Sequence, residues 1–175
     1  MGRDKSLLPL AGEPLIARIA GQLRPLFDEV LISANDPAPY AFLGLPVIAD
    51  AEPGQGPLMG IASCLRAARN EWLFVTGCDV PDLDAAFIAS LLELARDCDV
   101  VMPRDSDGRP EPLCALYRKT VLAVAERLLA DGRRRIIDLL PELRVATPAL
   151  PGGWLKNLNT PEEFADFARK LEAGK

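Results

Sequence analysis

The chain has 175 residues, 49% of them hydrophobic and 26% charged, with a formal net charge of −5, which is enough apolar material for a sizeable core in one domain of ordinary length. The acidic balance excludes a broad electrostatic attraction to nucleic acid or to an anionic membrane surface, so any anion-binding site has to be local. Histidine is absent; this excludes Ser-His-Asp hydrolysis, imidazole acid–base steps and His metal sites, and leaves the carboxylate, Lys/Arg and metal chemistry on which phosphoryl and nucleotidyl transfer depend. No apolar run approaches the roughly 20 residues of a bilayer span, and the start of the chain lacks a signal-peptide core, so the expected location is cytoplasmic. Cys64, Cys78, Cys98 and Cys114 are widely spaced with no Cys-x-x-Cys pair, and they read as small core residues rather than as a zinc site or a redox dithiol.

In chain order, Met1-Gly2-Arg3-Asp4-Lys5 reads either as a phosphate-facing loop, Gly2 allowing close backbone approach and Arg3 and Lys5 supplying charge, or as a frayed terminus. Pro14 at a first helical position predicts an amphipathic helix with Leu15, Ile16, Ile19, Ala20 and Leu23 on one face, ending before Pro25. Residues 29–34 predict a buried strand that runs into Asn35-Asp36-Pro37. Asn35 stands at its carboxyl end, as a reader of base or ribose or as ordinary turn chemistry. Residues 40–45 predict a short helical connection closed by Gly44, and 46–50 a short strand ending in Asp50. The loop from Glu52 to Gly60 carries Gly54, Gly56 and Gly60 with Pro53 and Pro57 ahead of a helix over 61–68. It matches neither a P-loop nor a dinucleotide fingerprint, and reads as a ligand-contacting loop or a plain strand-to-helix crossover.

The chain is organised around residues 72–83. Trp72 to Val75 is apolar without alternation, which predicts a strand buried on both faces in a parallel sheet covered by helices. Thr76 and Gly77 open a turn, and Asp79 places a carboxylate at the strand's carboxyl end, where open α/β sheets bind ligands. That position suits a hard cation such as Mg²⁺ carrying nucleotide phosphates; the alternative, that Asp79 caps the next helix, competes with Asp82 and Asp84, which are nearer to it.

Helices over 83–96 and 121–129 and strands at 99–103, 111–117 and 143–146 continue the pattern, with Gly132 closing the second helix. Arg133-Arg134-Arg135 reads as a solvated helix start or as a grip on an anionic substrate. Asn157 and Asn159 alternate with Leu158 as a short strand with one polar face, towards water or towards a site. Thr160-Pro161-Glu162-Glu163 predicts a capped helix start. With no repeat or linker, residues 1–175 are expected to form a single α/β domain, doubly wound, with a mostly parallel mixed sheet and helices on both faces.

Taken together and in order, Met1-Gly2-Arg3-Asp4-Lys5 with Leu8-Pro9-Leu10, Gly56-Pro57-Leu58-Met59-Gly60, Cys78-Asp79-Val80-Pro81, Glu111-Pro112-Leu113-Cys114-Ala115-Leu116-Tyr117 and Asn157-Leu158-Asn159-Thr160-Pro161-Glu162 resemble the molybdenum cofactor guanylyltransferase (MobA-like) family over nearly the whole chain. The resemblance implies a Rossmann-like nucleotidyltransferase fold that takes GTP and molybdenum-loaded molybdopterin to the guanine dinucleotide cofactor and pyrophosphate. Carried over by position, it implies Lys5 on the GTP phosphates, with Gly2 and Arg3 completing that loop and Arg3, Lys5 and Asp79 as the catalytic set. It further implies Asn35 and Asp50 on the nucleotide, Gly56, Pro57 and Leu58 lining the nucleotide pocket, Asp79 on both GTP and Mg²⁺, and Asn157 and Asn159 on the pterin side. Molybdoenzymes or cofactor-handling proteins are the implied partners, with no nucleic acid and no membrane. The nucleophile would be the pterin's phosphate, largely dianionic because its second pKa is roughly 6, so no histidine base is required. Cytidylyl transfer to the same pterin, guanylyl transfer to another phosphorylated cofactor, and a non-catalytic nucleotide-binding module are the competing readings. Asp79 and Lys5 together argue against the last, since a pure binder has less need of both a metal ligand and a leaving-group cation.

The departure from the family pattern is at the front. Its members normally begin with a buried strand and a Leu-Ala-Gly-Gly segment ahead of the Arg-Met-Gly-x-Asp-Lys motif, and this sequence starts at that Met. A sheet without such a strand is expected to leave two inner edges of unpaired backbone groups, each costing about 1 to 3 kcal/mol when shut away from water. The expectation is therefore that residues upstream of Met1 exist, or that a neighbouring strand closes the gap.

Overall fold

The structure is a computed structural model that describes residues 4–151, 158 and 160–173. It opens on a 3₁₀ turn, Lys5–Leu7, capped by Asp4, and a small antiparallel hairpin of β1 (Pro9–Leu10) and β2 (Glu13–Pro14). Helix α1 (Leu15–Leu23) buries Leu15, Ile19 and Ala20, the i, i+4, i+5 stripe expected of an amphipathic helix. Pro14 precedes the helix rather than starting it, because its backbone is committed to the hairpin.

The predicted strand over 29–34 shortens to β3 (Ile32–Ser33), paired in parallel with β4 (Val47–Ile48). Between them lies the expected 3₁₀ connection, Ala38–Leu43, closed by Gly44 at φ 60°, a left-handed position that favours glycine. Helix α2 (Pro57–Ala67) begins ahead of the expected Ile61. Gly56 turns the chain at φ 78° and Pro57 occupies the first helical position, where its missing N–H is no loss.

The remaining elements are β5 (Trp72–Thr76), α3 (Ala85–Leu94), β6 (Val100–Val101), β7 (Cys114–Arg118), α4 (Val121–Ala130), a 3₁₀ segment Ile136–Glu142, β8 (Val145–Ala146) and α5 (Pro161–Ala173). Asp84 caps α3, its carboxylate accepting from the Ala86 and Phe87 amides, a contact of the kind that contributes about 1 kcal/mol. Helix α5 starts with the predicted reciprocal cap: Thr160 Oγ1 accepts from Glu163 N at 3.1 Å while Glu163 Oε2 accepts from Thr160 N at 2.9 Å. No helix among the described residues is long and apolar enough to cross a membrane.

The largest sheet runs β5-β7-β6-β8. Helices α2 and α4 cover one face with a core of Leu58, Ile61, Leu65, Tyr117, Val121, Leu128 and Leu139. Helix α3 covers the other face, where Phe87 and Leu91 meet Val101 and Leu116. Helices α1 and α5 share a third cluster through Leu15, Ile19, Phe164, Phe167 and Leu171. This is a doubly wound α/β arrangement with a mixed sheet.

One detail corrects the sequence reading. Among the described residues β5 pairs only with β7, and antiparallel, Trp72 opposite Arg118 through to Thr76 opposite Cys114. Its residues are half-buried rather than fully buried. An apolar run reports that both faces of a strand are covered; it carries no information on the direction of the neighbour or on whether both edges are paired. Here the second edge of β5 looks towards β3 across a cavity of about 820 Å³, lined by residues 28–35 on one side and 72–78 on the other. The β3-β4 pair and the larger sheet are separate ladders, so no neighbouring strand closes the gap. Phe27 bridges part of it, stacking on Phe74 with ring centroids 5.6 Å apart.

Candidate active site

At one end of this cavity the polar residues Asp4, Ser6, Asn35, Tyr40, Asp50 and Cys78 lie in the segments that lead out of β3, β4 and β5 and in the turn at the front of the chain. The carboxyl end of an open α/β sheet is where ligands are held. Asn35 and Asp50 follow β3 and β4, whose parallel pairing brings their ends together. Asn35 Nδ2 donates to Asp50 Oδ2 at 3.1 Å, and the Asp50 amide donates to Asn35 Oδ1 at 2.8 Å. Gly60, one turn into α2, leaves no room for a side chain there, since a Cβ would come within 2.9 Å of Ser33 Oγ and 3.5 Å of Asp50 Oδ1. The Asn35–Asp50 pair is thus backed by the start of α2.

Asp79 stands just beyond β5. A Cβ on Gly77 would lie 2.4 Å from Asp79 Oδ1, so the carboxylate folds back over the Gly77 backbone. The segment after Asp79 is gripped by α1: Arg18 Nε and Gln22 Nε2 donate to the Pro81 carbonyl at 3.1 and 2.8 Å, and Gln22 Oε1 accepts from Leu83 N at 2.8 Å. On its other side the Asp79 carbonyl accepts from Leu158 N at 2.8 Å. Asn157 and Asn159 themselves lie outside the described residues, as do Gly2 and Arg3.

Lys5 begins the 3₁₀ turn that Asp4 caps. Asp4 Oδ1 accepts from Ser6 N at 3.0 Å and from Ser6 Oγ at 2.8 Å, and Asp4 Oδ2 accepts from the Tyr40 hydroxyl at 2.5 Å. Burial works to raise the Asp4 carboxyl, but the hydrogen bonds from Tyr40 and Ser6 outweigh it and hold it below the ordinary range. Burial, followed by its bond to Asp4, pushes the Tyr40 phenol up. Cys78, expected as a small core residue, is instead exposed where it lines the cavity; partial desolvation there, and then the charges of Asp79 and Asp4, push its thiol up. Asp4 and Ser6, on either side of Lys5, and Cys78, next to Asp79, thus line one cavity. The neighbouring Glu111 carboxyl is raised by burial and by the charges of Asp105 and Asp79.

Of the expected pocket residues, Gly56 and Pro57 line the cavity. Leu58 does not: its side chain is 0% exposed and belongs to the main core with α4, because the helix has already begun and its second position turns inward. That corrects its expected place in the pocket. Tyr40, Asp4 and Gly77 are the site residues that motif reasoning passed over. An Asp two residues before a Ser is a local capping signal that could have marked Asp4; nothing local marks Tyr40, whose partner is remote in sequence.

A family model described as the MobA-like NTP transferase domain matches residues 1–145. The chain belongs to that family. This MobA-like chain is 40% identical over 172 residues to the probable molybdenum cofactor guanylyltransferase of Carboxydothermus hydrogenoformans, the match covering 94% of this chain and 86% of that protein. It is 37% identical over 171 residues to the molybdenum cofactor guanylyltransferase of Pseudomonas putida, with 94% and 88% covered. The crystal structure of molybdopterin-guanine dinucleotide biosynthesis protein A from Archaeoglobus fulgidus superposes with a TM-score of 0.81 at 23% identity, covering 99% of this chain and 93% of that one. At that identity the superposition establishes the nucleotidyltransferase-like α/β fold alone.

Among the described residues no group of three or more acidic or cysteine side chains gathers as a ready-made metal site. Asp79 is a single hard oxygen donor at the end of a rigid strand. That donor set fits a magnesium ion that takes one protein carboxylate and completes its shell with water and substrate phosphates.

Proposed function

We propose that this chain transfers a GMP unit from GTP to the terminal phosphate of molybdopterin, releasing pyrophosphate and forming the guanine dinucleotide form of the molybdenum cofactor. The observation that carries the reading is one cavity lined by Asp4 and Ser6, which flank Lys5, by Cys78, which precedes Asp79, and by the hydrogen-bonded Asn35–Asp50 pair. Membership of the family and the activity named for the similar proteins of Carboxydothermus hydrogenoformans and Pseudomonas putida support these substrates.

A phosphate oxygen of molybdopterin attacks the α-phosphorus of GTP, a new P–O–P linkage forms, and the bond to the β-phosphate breaks with its electrons leaving on pyrophosphate. The attacking oxygen is already anionic, so no protein base is needed. The protein's work is alignment and charge neutralisation. Lys5, with Arg3 and Gly2 in the same segment, holds the triphosphate and offsets charge on the departing pyrophosphate. Asn35 and Asp50 orient the nucleoside, while Gly56 and Pro57 present backbone at the start of α2. Asp79 ligates Mg²⁺, which when bound supplies positive charge at the phosphates. Asn157 and Asn159 serve the pterin side.

The test is to incubate the purified chain with Mg²⁺, molybdopterin and each of the four nucleoside triphosphates in turn, and to follow pyrophosphate. Release with GTP alone is the expected result. Release with CTP alone replaces the guanine assignment with cytosine, and no release with any of them overturns the reading.

A further inference from the structure

We propose that Tyr40 is a positioning residue for the triphosphate turn: its hydroxyl holds the Asp4 carboxylate, and Asp4 caps the turn that begins at Lys5. This rests on the reading of Lys5 as the phosphate cation. A carboxylate next to that lysine is a liability, since a loose anion there repels a polyanionic substrate. In the structure each Asp4 oxygen is occupied, Oδ1 by the amide and hydroxyl of Ser6 and Oδ2 by Tyr40 at 2.5 Å. Asp4 thereby acts as a cap that sets the shape of the turn.

Tyr40 belongs to the segment after Asn35, and that segment is itself fixed. Asp36 Oδ1 accepts from Ala38 N at 3.0 Å, Tyr40 N donates to the Pro37 carbonyl at 3.1 Å, and Arg24 reaches the Leu43 carbonyl at 2.7 Å. Among the described residues no backbone hydrogen bond joins the Lys5 turn to β3 or β4. The Tyr40–Asp4 bond therefore ties the phosphate end of the site to the nucleoside end, across the side of the cavity that no ladder closes. A hydrogen bond to an ionised acceptor is roughly twice as strong as a neutral one, which suits a half-buried tether between two short elements.

The experiment compares Tyr40→Phe with the unaltered full chain. The ring is kept and only the hydroxyl is lost. GTP binding, read by calorimetry, is expected to weaken about tenfold, whereas GMP binding changes by less than about twofold because its single phosphate does not reach the turn. In turnover assays KM for GTP rises with kcat nearly unchanged. Asp4→Asn and the double variant complete a cycle, whose two losses are expected to fall short of adding. With only two tyrosines in the chain, ultraviolet titration reads the contact directly without any ligand, and Asp4→Asn is expected to make Tyr40 ionise at lower pH. Tyr40→Phe binding GTP as tightly as the parent, or losing GTP and GMP affinity equally, overturns the proposal while leaving the function intact. A parent chain that binds no nucleoside triphosphate overturns both.

Discussion

Asn35 and Asp50 face each other at the ends of two parallel strands and exchange two hydrogen bonds, side chain to side chain at 3.1 Å and backbone to side chain at 2.8 Å. Each residue fixes the rotamer of the other, so the pair presents one rigid polar edge. Asn35→Ala removes both bonds. It is expected to weaken guanosine and GTP by the same factor, about tenfold, because neither bond touches phosphate. Calorimetric titration with both ligands checks this, and a loss confined to GTP would reassign Asn35 to the phosphates.

Asp79 tests the metal assignment. Asp79→Asn keeps the shape that Gly77 accommodates and loses the charge. Turnover is expected to fall by at least about a hundredfold, with the melting temperature nearly unchanged, since the lost charge acts on the transition state. Unchanged turnover at saturating Mg²⁺ sinks the role.

The role proposed for Lys5 is that of a point charge on the β- and γ-phosphates. Lys5→Ala is therefore expected to weaken GTP strongly and GMP little. Equal weakening of the two would point instead to a nucleoside contact or a folding defect.

Glu111 carries a pH signature. Burial, with the charges of Asp105 and Asp79, holds its carboxyl above the ordinary 4.5. The folded chain binds that proton more tightly than the unfolded chain does, so the group's favourable contribution is complete below about pH 4.5 and is lost as pH rises through the raised folded value. Glu111→Gln is expected to raise the melting temperature near pH 7 and to leave it unchanged near pH 4. Thermal scans at both values decide it, and a gain of equal size at both would exclude the charge repulsion.

The open apolar cavity between β3 and β5 bears on stability. Among the described residues the second edge of β5 has no strand partner and the cavity beside it has largely apolar walls, a surface of the kind that binds anilinonaphthalene sulfonate. Strong dye fluorescence and a melting temperature below the usual range of about 45 to 65 °C are expected. Weak fluorescence with a sharp transition above that range would mean that the cavity is closed in solution.

Several parts of this protein were legible in the sequence because their causes are local. The α1 stripe, the Gly44 turn and the Thr160–Glu163 box each depend on residues within a few positions of one another, and each appears as read. The absence of histidine, likewise, limits the chemistry without any coordinates. Other features were decided only by tertiary structure. The direction of β5's partner, the cavity beside it, the inward turn of Leu58 and the Tyr40 hold on Asp4 all depend on which distant segments meet. A one-dimensional pattern of apolar and polar residues records whether a side chain avoids water, and leaves open which neighbour shields it.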